Sequence, residues 1–203
     1  MRHGKNTAAS MLADAWTKQR GSNVATLAFA DALKDECAES FGVDARMFYA
    51  DELKDTPQAA LTLAKCKDLQ FVDLCLGAKF PVLMHEAQRP RFVLQFWGTE
   101  YRRVNDPEHW CKEVARRLTD TKHRGFSLSI ITDVRFLNEA NMIKDMGGAI
   151  WKIYRPHIEL QGASSTHVSE REMESMRVDS TFTNDTVERL QMAIIDATQG
   201  IGR

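Results

Sequence analysis

Short apolar runs alternate with helix-forming stretches along most of this 203-residue chain. The runs at 24–29, 126–132, 149–154 and 178–183 are predicted strands. Strands that alternate with helices favour a parallel sheet with helices covering both faces. The sequence therefore predicts an α/β fold, and its 43% hydrophobic content suits one domain, 1–203, with a full core.

Composition argues against several classes of function. The formal net charge is −1, so we expect no broad basic surface for nucleic acid. No window approaches the roughly 20 apolar residues of a membrane span, and the N-terminus lacks an apolar secretory segment. We therefore expect a soluble, cytoplasmic protein without nucleic-acid or membrane partners. Its scattered cysteines, expected to be free thiols, are Cys37, Cys66, Cys75 and Cys111.

The segment Gly4-Lys5-Asn6-Thr7 matches the second half of a phosphate-binding loop. In such a loop the glycine lets the backbone close around an anion, the lysine reaches the outer phosphates, and helix amides point at the charge. Good helix formers follow, so we expect a helix to open at Lys5. The usual upstream glycine and buried strand are not in the sequence, and Asn6 stands where Ser or Thr is common. An ordinary helix start is the alternative.

Two charged residues, Asp31 and Lys34, follow the first predicted strand, where α/β folds place ligand-handling loops. A helix is predicted from 35 to 41, and Asp31 as a simple cap of that helix is an equal alternative. Further on, residues 58–76 are mostly compatible with a helix. The stretch 46–85 fits either a mobile domain over a site or a helical insertion.

Residues 89–103 are rich in arginine. A helix over 91–97 places Arg91 and Gln95 on one face, and Gly98 is expected to end it before a charged turn. The planar guanidinium binds phosphate through two hydrogen bonds, so this segment suits the phosphate and base of a nucleotide. A solvated, ion-paired surface is the alternative. The turn contributes Thr99, Glu100, Arg102 and Arg103.

The run at 126–132 is the strongest prediction of a buried strand in the chain, and Asp133 and Arg135 follow its end. An acid at the carboxyl end of a central strand can hold magnesium near a phosphate loop, directly or through water. An arginine two residues later suits an anionic group. Solubility alone does not explain this pair at a strand tip, so we favour a functional role.

Two further segments lie towards the C-terminus. A small, polar loop at about 155–171 is flanked by Arg155 and Arg171, as in a lid that closes over phosphates and excludes water. An ordinary exposed loop is the alternative. Asn184 opens the cap of a helix whose apolar stripe is formed by Val187, Leu190, Ile194 and Ala197.

Together these segments resemble the bacteriophage deoxynucleoside monophosphate kinases over nearly the whole chain. The most specific blocks are Gly98-Thr99-Glu100 and the Asp-Val-Arg-Phe-x-Asn-Glu run at 133–139. The closing strand, 179–184, also resembles the end of related P-loop kinases such as dephospho-coenzyme A kinase. The other segments that carry the resemblance are Gly4 to Thr7, 28–34, Gln95 to Arg103, Asp106 to Trp110, and 167–170 (His-Val-Ser-Glu).

The resemblance implies a three-layer α/β/α P-loop kinase fold with a parallel sheet. It implies a helical acceptor-binding region at about 46–104 and the lid-like loop at about 155–171. The first, central strand of this fold is missing from the N-terminus of the sequence. Its absence would leave the neighbouring strands at about twice the ~4.8 Å strand spacing, with unpaired edges.

The resemblance also implies an activity, the transfer of the γ-phosphoryl group of ATP to a deoxynucleoside monophosphate in the presence of Mg²⁺. Phosphoryl transfer of this kind depends on positioning and charge neutralisation. The implied catalytic residues are Lys5, Arg103, Asp133 and Arg135, with Asp133 also at the metal. The implied ATP-binding residues are Gly4, Lys5, Asn6, Thr7, Arg155, Arg171 and Asn184. The implied acceptor-binding residues are Asp31, Lys34, Arg91, Gln95, Thr99, Glu100 and Arg102.

Two alternatives stay open at this point. One is an inactive nucleotide-binding remnant of the fold, since the phosphate loop is incomplete. The other is a P-loop kinase with a different small acceptor, such as dephospho-coenzyme A. The sequence does not define which base is accepted or whether a protein with an incomplete phosphate loop is active. The oligomeric state is also open, and a homodimer is one option. Small-molecule nucleotides are the expected partners.

Overall fold

The chain divides into two compact units in the computed structural model, which describes residues 4–77, 82–156 and 175–200. Met1–Phe29 and Val114–Arg203 make up the first unit, and Ala30–Glu113 the second. The helices are α1 (Lys5–Arg20), α2 (Phe29–Phe41), α3 (Arg46–Tyr49), α4 (Leu69–Leu76), α5 (Pro90–Gln95), α6 (His109–His123), α7 (Leu137–Asp145) and α8 (Val187–Thr198). The strands are β1 (Val24–Leu27), β2 (Leu128–Ile131), β3 (Trp151–Tyr154) and β4 (Ser180–Thr183).

The core of the first unit forms between α1 and α8. Residues four apart share one face of a helix, so Ala8 and Leu12 of α1 can pack against Leu190 and Ile194 of α8. Both α8 residues are fully buried, which confirms the predicted stripe at these positions. The prediction is wrong for Val187, the first residue of α8, which is 55% exposed. The hydroxyl of Thr186 accepts a hydrogen bond from the Arg189 N–H at 3.2 Å and caps α8. We call this packed set the α1–α8 cluster.

The strands of the first unit are parallel, as predicted, and form two sheets of two strands each. Strand β1 pairs with β2 and β3 pairs with β4. Apolar residues of β2, β3 and β4 pack against the α1–α8 cluster. No strand among the described residues pairs with the second edge of β2 or of β3, so these edges are unpaired there.

Strand β2 is less buried than its apolar sequence predicts. All four of its residues are only half-buried. Its side chains at Leu128 and Ile130 contact the α1–α8 cluster, but β1 is the only strand that flanks it within the part of the chain that the structure describes. A strand with one neighbour is an edge strand, so this exposure follows from the split sheet.

The second unit is built on aromatic packing among helices. The ring centroids of Phe71 and Trp97 are 4.4 Å apart, and those of Trp97 and Tyr101 are 5.3 Å apart. Within the predicted helix at 58–76, only α4 is α-helical, because the backbone is extended at Thr62 and Cys66. The preceding residues form 3₁₀ turns at Asp51–Leu53, Ala59–Leu61 and Leu63–Lys65.

A π-helix at Phe96–Arg103 follows directly on α5. The prediction that Gly98 ends this helix is wrong, since Gly98 lies inside it. Its carbonyl accepts a hydrogen bond from the Trp110 indole N–H at 3.1 Å. A Cβ on Gly98 would lie 3.1 Å from the Leu33 Cδ2, so the glycine serves close packing. Across the described ranges, no helix has both the length and the apolar character that a bilayer span requires.

Candidate functional site

The start of α1 brings two predicted residues from opposite ends of the chain into contact. Gly4 has a φ of 89°, a left-handed conformation that favours glycine. A Cβ at this position would overlap the side-chain amide of Asn184, which is itself buried. The Asn184 backbone N–H, just after β4, donates at 2.6 Å to the carbonyl of Tyr154, the last residue of β3. The site therefore requires glycine at position 4 for both its conformation and its space.

Lys5 is the first residue of α1, as predicted, and is half-buried. Burial lowers the pKa of its ammonium group. The nearby Arg135 guanidinium lowers that pKa further, whereas the Asp133 carboxylate opposes the shift. The structure thus places both Asp133 and Arg135 within electrostatic range of Lys5. Asn6 and Thr7 are exposed in the same helical turn.

Asp133 lies just beyond β2, and its Oδ1 accepts a hydrogen bond from the Phe29 N–H at 2.7 Å. Strands β1 and β2 are parallel with Leu27 opposite Ile131, so both end at the same edge of their sheet. The carboxylate therefore connects the tip of β2 to the first residue of α2.

The start of α2 at Phe29 corrects one prediction. Asp31 and Lys34 lie in the first turns of this helix, and not in a loop before it. Asp31 is therefore inside the helix and does not cap one that begins at Asp35. The Phe29 N–H finds its partner in Asp133, which is 104 residues away in sequence, so local pattern alone could not place this boundary.

The loop between β2 and α7 is held by Glu139, a residue to which the sequence analysis gave no role. Its side chain is 2% exposed, and its Oε2 accepts hydrogen bonds from the N–H groups of Arg135 at 2.8 Å and Phe136 at 3.1 Å. A glutamate three residues into a helix is a known capping signal. That spacing, Phe136 to Glu139, could have identified it.

In the second unit, Asp31 and Lys34 both contact Tyr49. The Tyr49 hydroxyl donates to Asp31 Oδ1 at 2.8 Å, and Lys34 Nζ lies 3.7 Å from the centroid of the tyrosine ring. Tyr49 remains 45% exposed. It was not predicted as a site residue, and nothing in the local sequence signals it, because the contact depends on how α3 packs.

The π-helix presents the charged residues of the predicted acceptor segment. Its buried side carries Trp97 and Tyr101, and the Tyr101 hydroxyl donates to Asp68 at 2.9 Å. Burial, together with this hydrogen bond, raises the pKa of Tyr101 to about 12. The fixed inner side leaves three predicted residues outside the core: Thr99 and Arg103 are half-buried and Glu100 is exposed.

Arg102, by contrast, belongs to a part-buried network of charges. Its guanidinium forms an ion pair with Glu36, lies 3.6 Å from the Asp68 carboxylate and stacks over the Tyr101 ring at 4.4 Å. The His109 Nε2 contacts the other oxygen of Glu36 at 3.1 Å. In this structure the Arg102 guanidinium is therefore held by carboxylates inside the second unit. This agrees with the ion pairing, rather than phosphate binding, that was the alternative for this segment.

Arg91 is paired with Asp55 through two hydrogen bonds, from Nε at 2.7 Å and from Nη2 at 2.9 Å. Both side chains are mostly exposed. The guanidinium lowers the pKa of Asp55, and the carboxylate raises the pKa of Arg91. The Asp55 carboxylate thus occupies the Arg91 guanidinium that was predicted to bind phosphate. Gln95, one turn later, is exposed.

Positions 157–171 of the predicted lid, which include Arg171, lie outside the described residues. Arg155 is described and is exposed just after β3. In the described parts of the chain, no three His, Cys, Asp or Glu side chains form a cluster that could hold a metal on their own. The four cysteines are free and buried, and burial raises the pKa of Cys37, Cys66 and Cys75.

Comparisons with known proteins place this chain in a class of nucleotide kinases. The family model described as deoxynucleotide monophosphate kinase matches residues 77–194, more than half of the chain. A protein of Acanthamoeba polyphaga mimivirus, named "Putative deoxynucleotide monophosphate kinase", is 31% identical over 204 residues, covering 95% of this chain and 89% of the relative. The chain belongs to the deoxynucleotide monophosphate kinase family. This confirms the predicted family and favours neither alternative.

Proposed function

We propose that the protein transfers the γ-phosphoryl group of ATP to a deoxynucleoside monophosphate and releases the diphosphate and ADP. A phosphate oxygen of the acceptor would attack the γ-phosphorus as its bond to the bridging oxygen breaks. One observation carries the proposal: the half-buried Lys5 at the start of α1 lies within electrostatic range of Asp133 and Arg135. Membership of the family supports the class of acceptor.

The donor phosphates would bind at the start of α1. The Ala8 N–H donates to the Gly4 carbonyl as the first bond of this helix. The N–H groups of residues 5–7 therefore have no acceptor within the helix, and they can point at an anion. Lys5 would neutralise charge on the transferring phosphate, and Arg135 would stabilise the charge that builds up in the transition state. Asn184, in contact with Gly4, would lie towards the donor base.

The residues present fit Mg²⁺. The ion usually keeps several waters and takes only one or two carboxylates together with substrate phosphates. Asp133 supplies one carboxylate beside Lys5, which matches such a donor set and needs no protein cage. Asp133 would hold the ion, directly or through water, and the bound ion would supply charge neutralisation at the phosphates.

The acceptor would bind to the second unit, in the helical region at about 46–104. Arg91 would exchange the Asp55 carboxylate for the acceptor phosphate, since both anions match its planar fork. The loop at about 155–171 would act as a lid, with Arg155 and Arg171 at its ends. The other proposed contacts come from Asp31 and Lys34 of α2, from Gln95, and from Thr99, Glu100 and Arg103 of the π-helix.

We also propose the finer fold, a three-layer α/β/α P-loop kinase fold in which one more parallel strand pairs with both β2 and β3. The support is that β2 and β3 contribute to the same α1–α8 cluster and each has a second edge that no described strand occupies. A strand that pairs with both edges would satisfy these backbone groups and bury β2.

The proposal is tested by replacing Lys5. Lys5→Ala should lower kcat for phosphoryl transfer by at least about 100-fold, as the removal of one transition-state contact typically does. Lys18 is an exposed lysine on the same helix, so Lys18→Ala serves as the matched control and should leave kcat unchanged. Equal activity of the two variants would refute the proposal.

A further inference from the structure

Glu139 is the only carboxylate among residues 4–77, 82–156 and 175–200 that is buried. We infer that it is a positioning residue for phosphoryl transfer, and that it fixes the backbone that carries Asp133 and Arg135. The inference rests on the proposed function, because it assigns Glu139 to the same site. Glu139 itself need not touch the substrate.

Hydrogen bonds hold the loop between β2 and α7 at both of its ends. The Thr132 N–H donates to the Leu27 carbonyl at 3.1 Å, and Asp133 Oδ1 accepts from Phe29. At the far end, Glu139 Oε2 accepts from both Arg135 and Phe136. Only Val134 lies between the two residues whose side chains would act on the transferring group. Small shifts of reacting groups cost large factors in rate, so a loop fixed at both ends has a catalytic consequence.

One of these bonds goes beyond what a helix start needs. In the usual capping box, the glutamate accepts from the N–H of the capping residue alone, which here is Phe136. The second bond, from the Arg135 N–H, is the shorter of the two and acts on the residue before the cap. That residue is the one whose guanidinium lies in electrostatic range of Lys5.

The use of a carboxylate here also has a physical reason. Burying a charge is costly unless hydrogen bonds and nearby dipoles compensate. Glu139 lies in the first turn of α7, where the helix dipole favours negative charge, and its bonds to the two N–H groups are charge-assisted. The helix start and the two N–H groups therefore suit a carboxylate at this position.

Two substitutions separate positioning from simple stability. Glu139→Ala removes both bonds, and we expect kcat to fall by at least about tenfold while KM for ATP and for the monophosphate changes by less than about threefold. Glu139→Gln keeps one oxygen that can accept both N–H groups, and it should retain most of kcat. Ile194→Ala is the matched control, since Ile194 is fully buried in the α1–α8 cluster of the same unit. It should lower Tm without a selective loss of kcat.

Amide hydrogen exchange gives a readout that is independent of turnover. The Arg135 and Phe136 amides should exchange slowly in the wild-type protein and in Glu139→Gln, and quickly in Glu139→Ala. Slow exchange in Glu139→Ala, or a kcat equal to that of Ile194→Ala, would overturn the inference. A wild-type protein without turnover would instead refute the proposed function, and amide exchange would still decide whether Glu139 holds the loop.

Discussion

Replacing Gly4 by alanine tests the contact that joins the start of α1 to the residue after β4. The substitution has two effects. It forces a Cβ into a left-handed backbone, which costs about 1–2 kcal/mol. It also drives that Cβ into the Asn184 amide, and overpacking of this kind costs about 1–3 kcal/mol. We therefore expect Gly4→Ala to lower the free energy of unfolding by about 2–5 kcal/mol.

Gly21 provides a matched control at the other end of the same helix. It caps the C-terminus of α1 with a φ of 63°, and a Cβ there would meet nothing within 4 Å. Gly21→Ala should therefore show only the backbone cost. The difference between the two variants isolates the contact with Asn184, about 1–3 kcal/mol. In a double-mutant cycle, Asn184→Ala should recover most of that difference.

Urea unfolding measures these free energies, and a thermal shift with ATP measures the consequence for function. Ligand that binds only the folded state raises Tm. ATP should raise the Tm of the wild-type protein and of Gly21→Ala, but should have much less effect on Gly4→Ala. Equal destabilisation by the two alanine variants, with the same response to ATP, would refute the reasoning.

Three further predictions concern the second unit. Asp55→Asn should release Arg91 and lower KM for the monophosphate by about two- to fivefold in steady-state assays, and an unchanged KM would mean that Arg91 does not bind the acceptor. Arg102→Ala should lower the free energy of unfolding, measured in urea, by about 1–3 kcal/mol, because it leaves the part-buried Glu36 without this ion pair. Arg103→Ala should mainly reduce turnover. The reverse pattern would contradict these assignments. Burial raises the pKa of Cys75 to about 12 from 9.0, so its thiol should resist disulfide reagents at pH 8 until the protein unfolds. Above pH 9.0 the unfolded state loses the Cys75 thiol proton, whereas the folded state keeps it up to about pH 12. The contribution of Cys75 to stability should therefore be complete below pH 9 and should fall as pH rises towards 12.

The sequence predicted those parts of the fold that depend on local chemistry. The start of α1 at Lys5 follows from a glycine before a run of helix formers. The parallel pairing follows from the alternation of strands and helices. Two boundaries could not be predicted, because distant contacts set them. The Phe29 N–H finds its acceptor in Asp133, and Gly98 lies within a helix because Leu33 and Trp110 pack on it.

In the candidate site, too, some residues could be recognised from local sequence and others only from distant contacts. Lys5, Asp133 and Arg135 were each recognisable beside a helix start or a strand end, and the structure brings Asp133 and Arg135 within electrostatic range of Lys5. Glu139 was visible only as part of a motif, since its role depends on burial and on two backbone bonds. The pairing of Arg91 with Asp55 joins residues 36 apart, and no local pattern indicated it.

The activity proposed for this protein is the phosphorylation of a deoxynucleoside monophosphate. In the test, the protein is incubated with γ-³²P-labelled ATP, Mg²⁺ and each deoxynucleoside monophosphate in turn, and the products are separated by chromatography. We predict label in the corresponding deoxynucleoside diphosphate for at least one acceptor, and none when the acceptor is omitted. Loss of label from ATP at the same rate with every acceptor and without any, and with no labelled diphosphate, would contradict the claim.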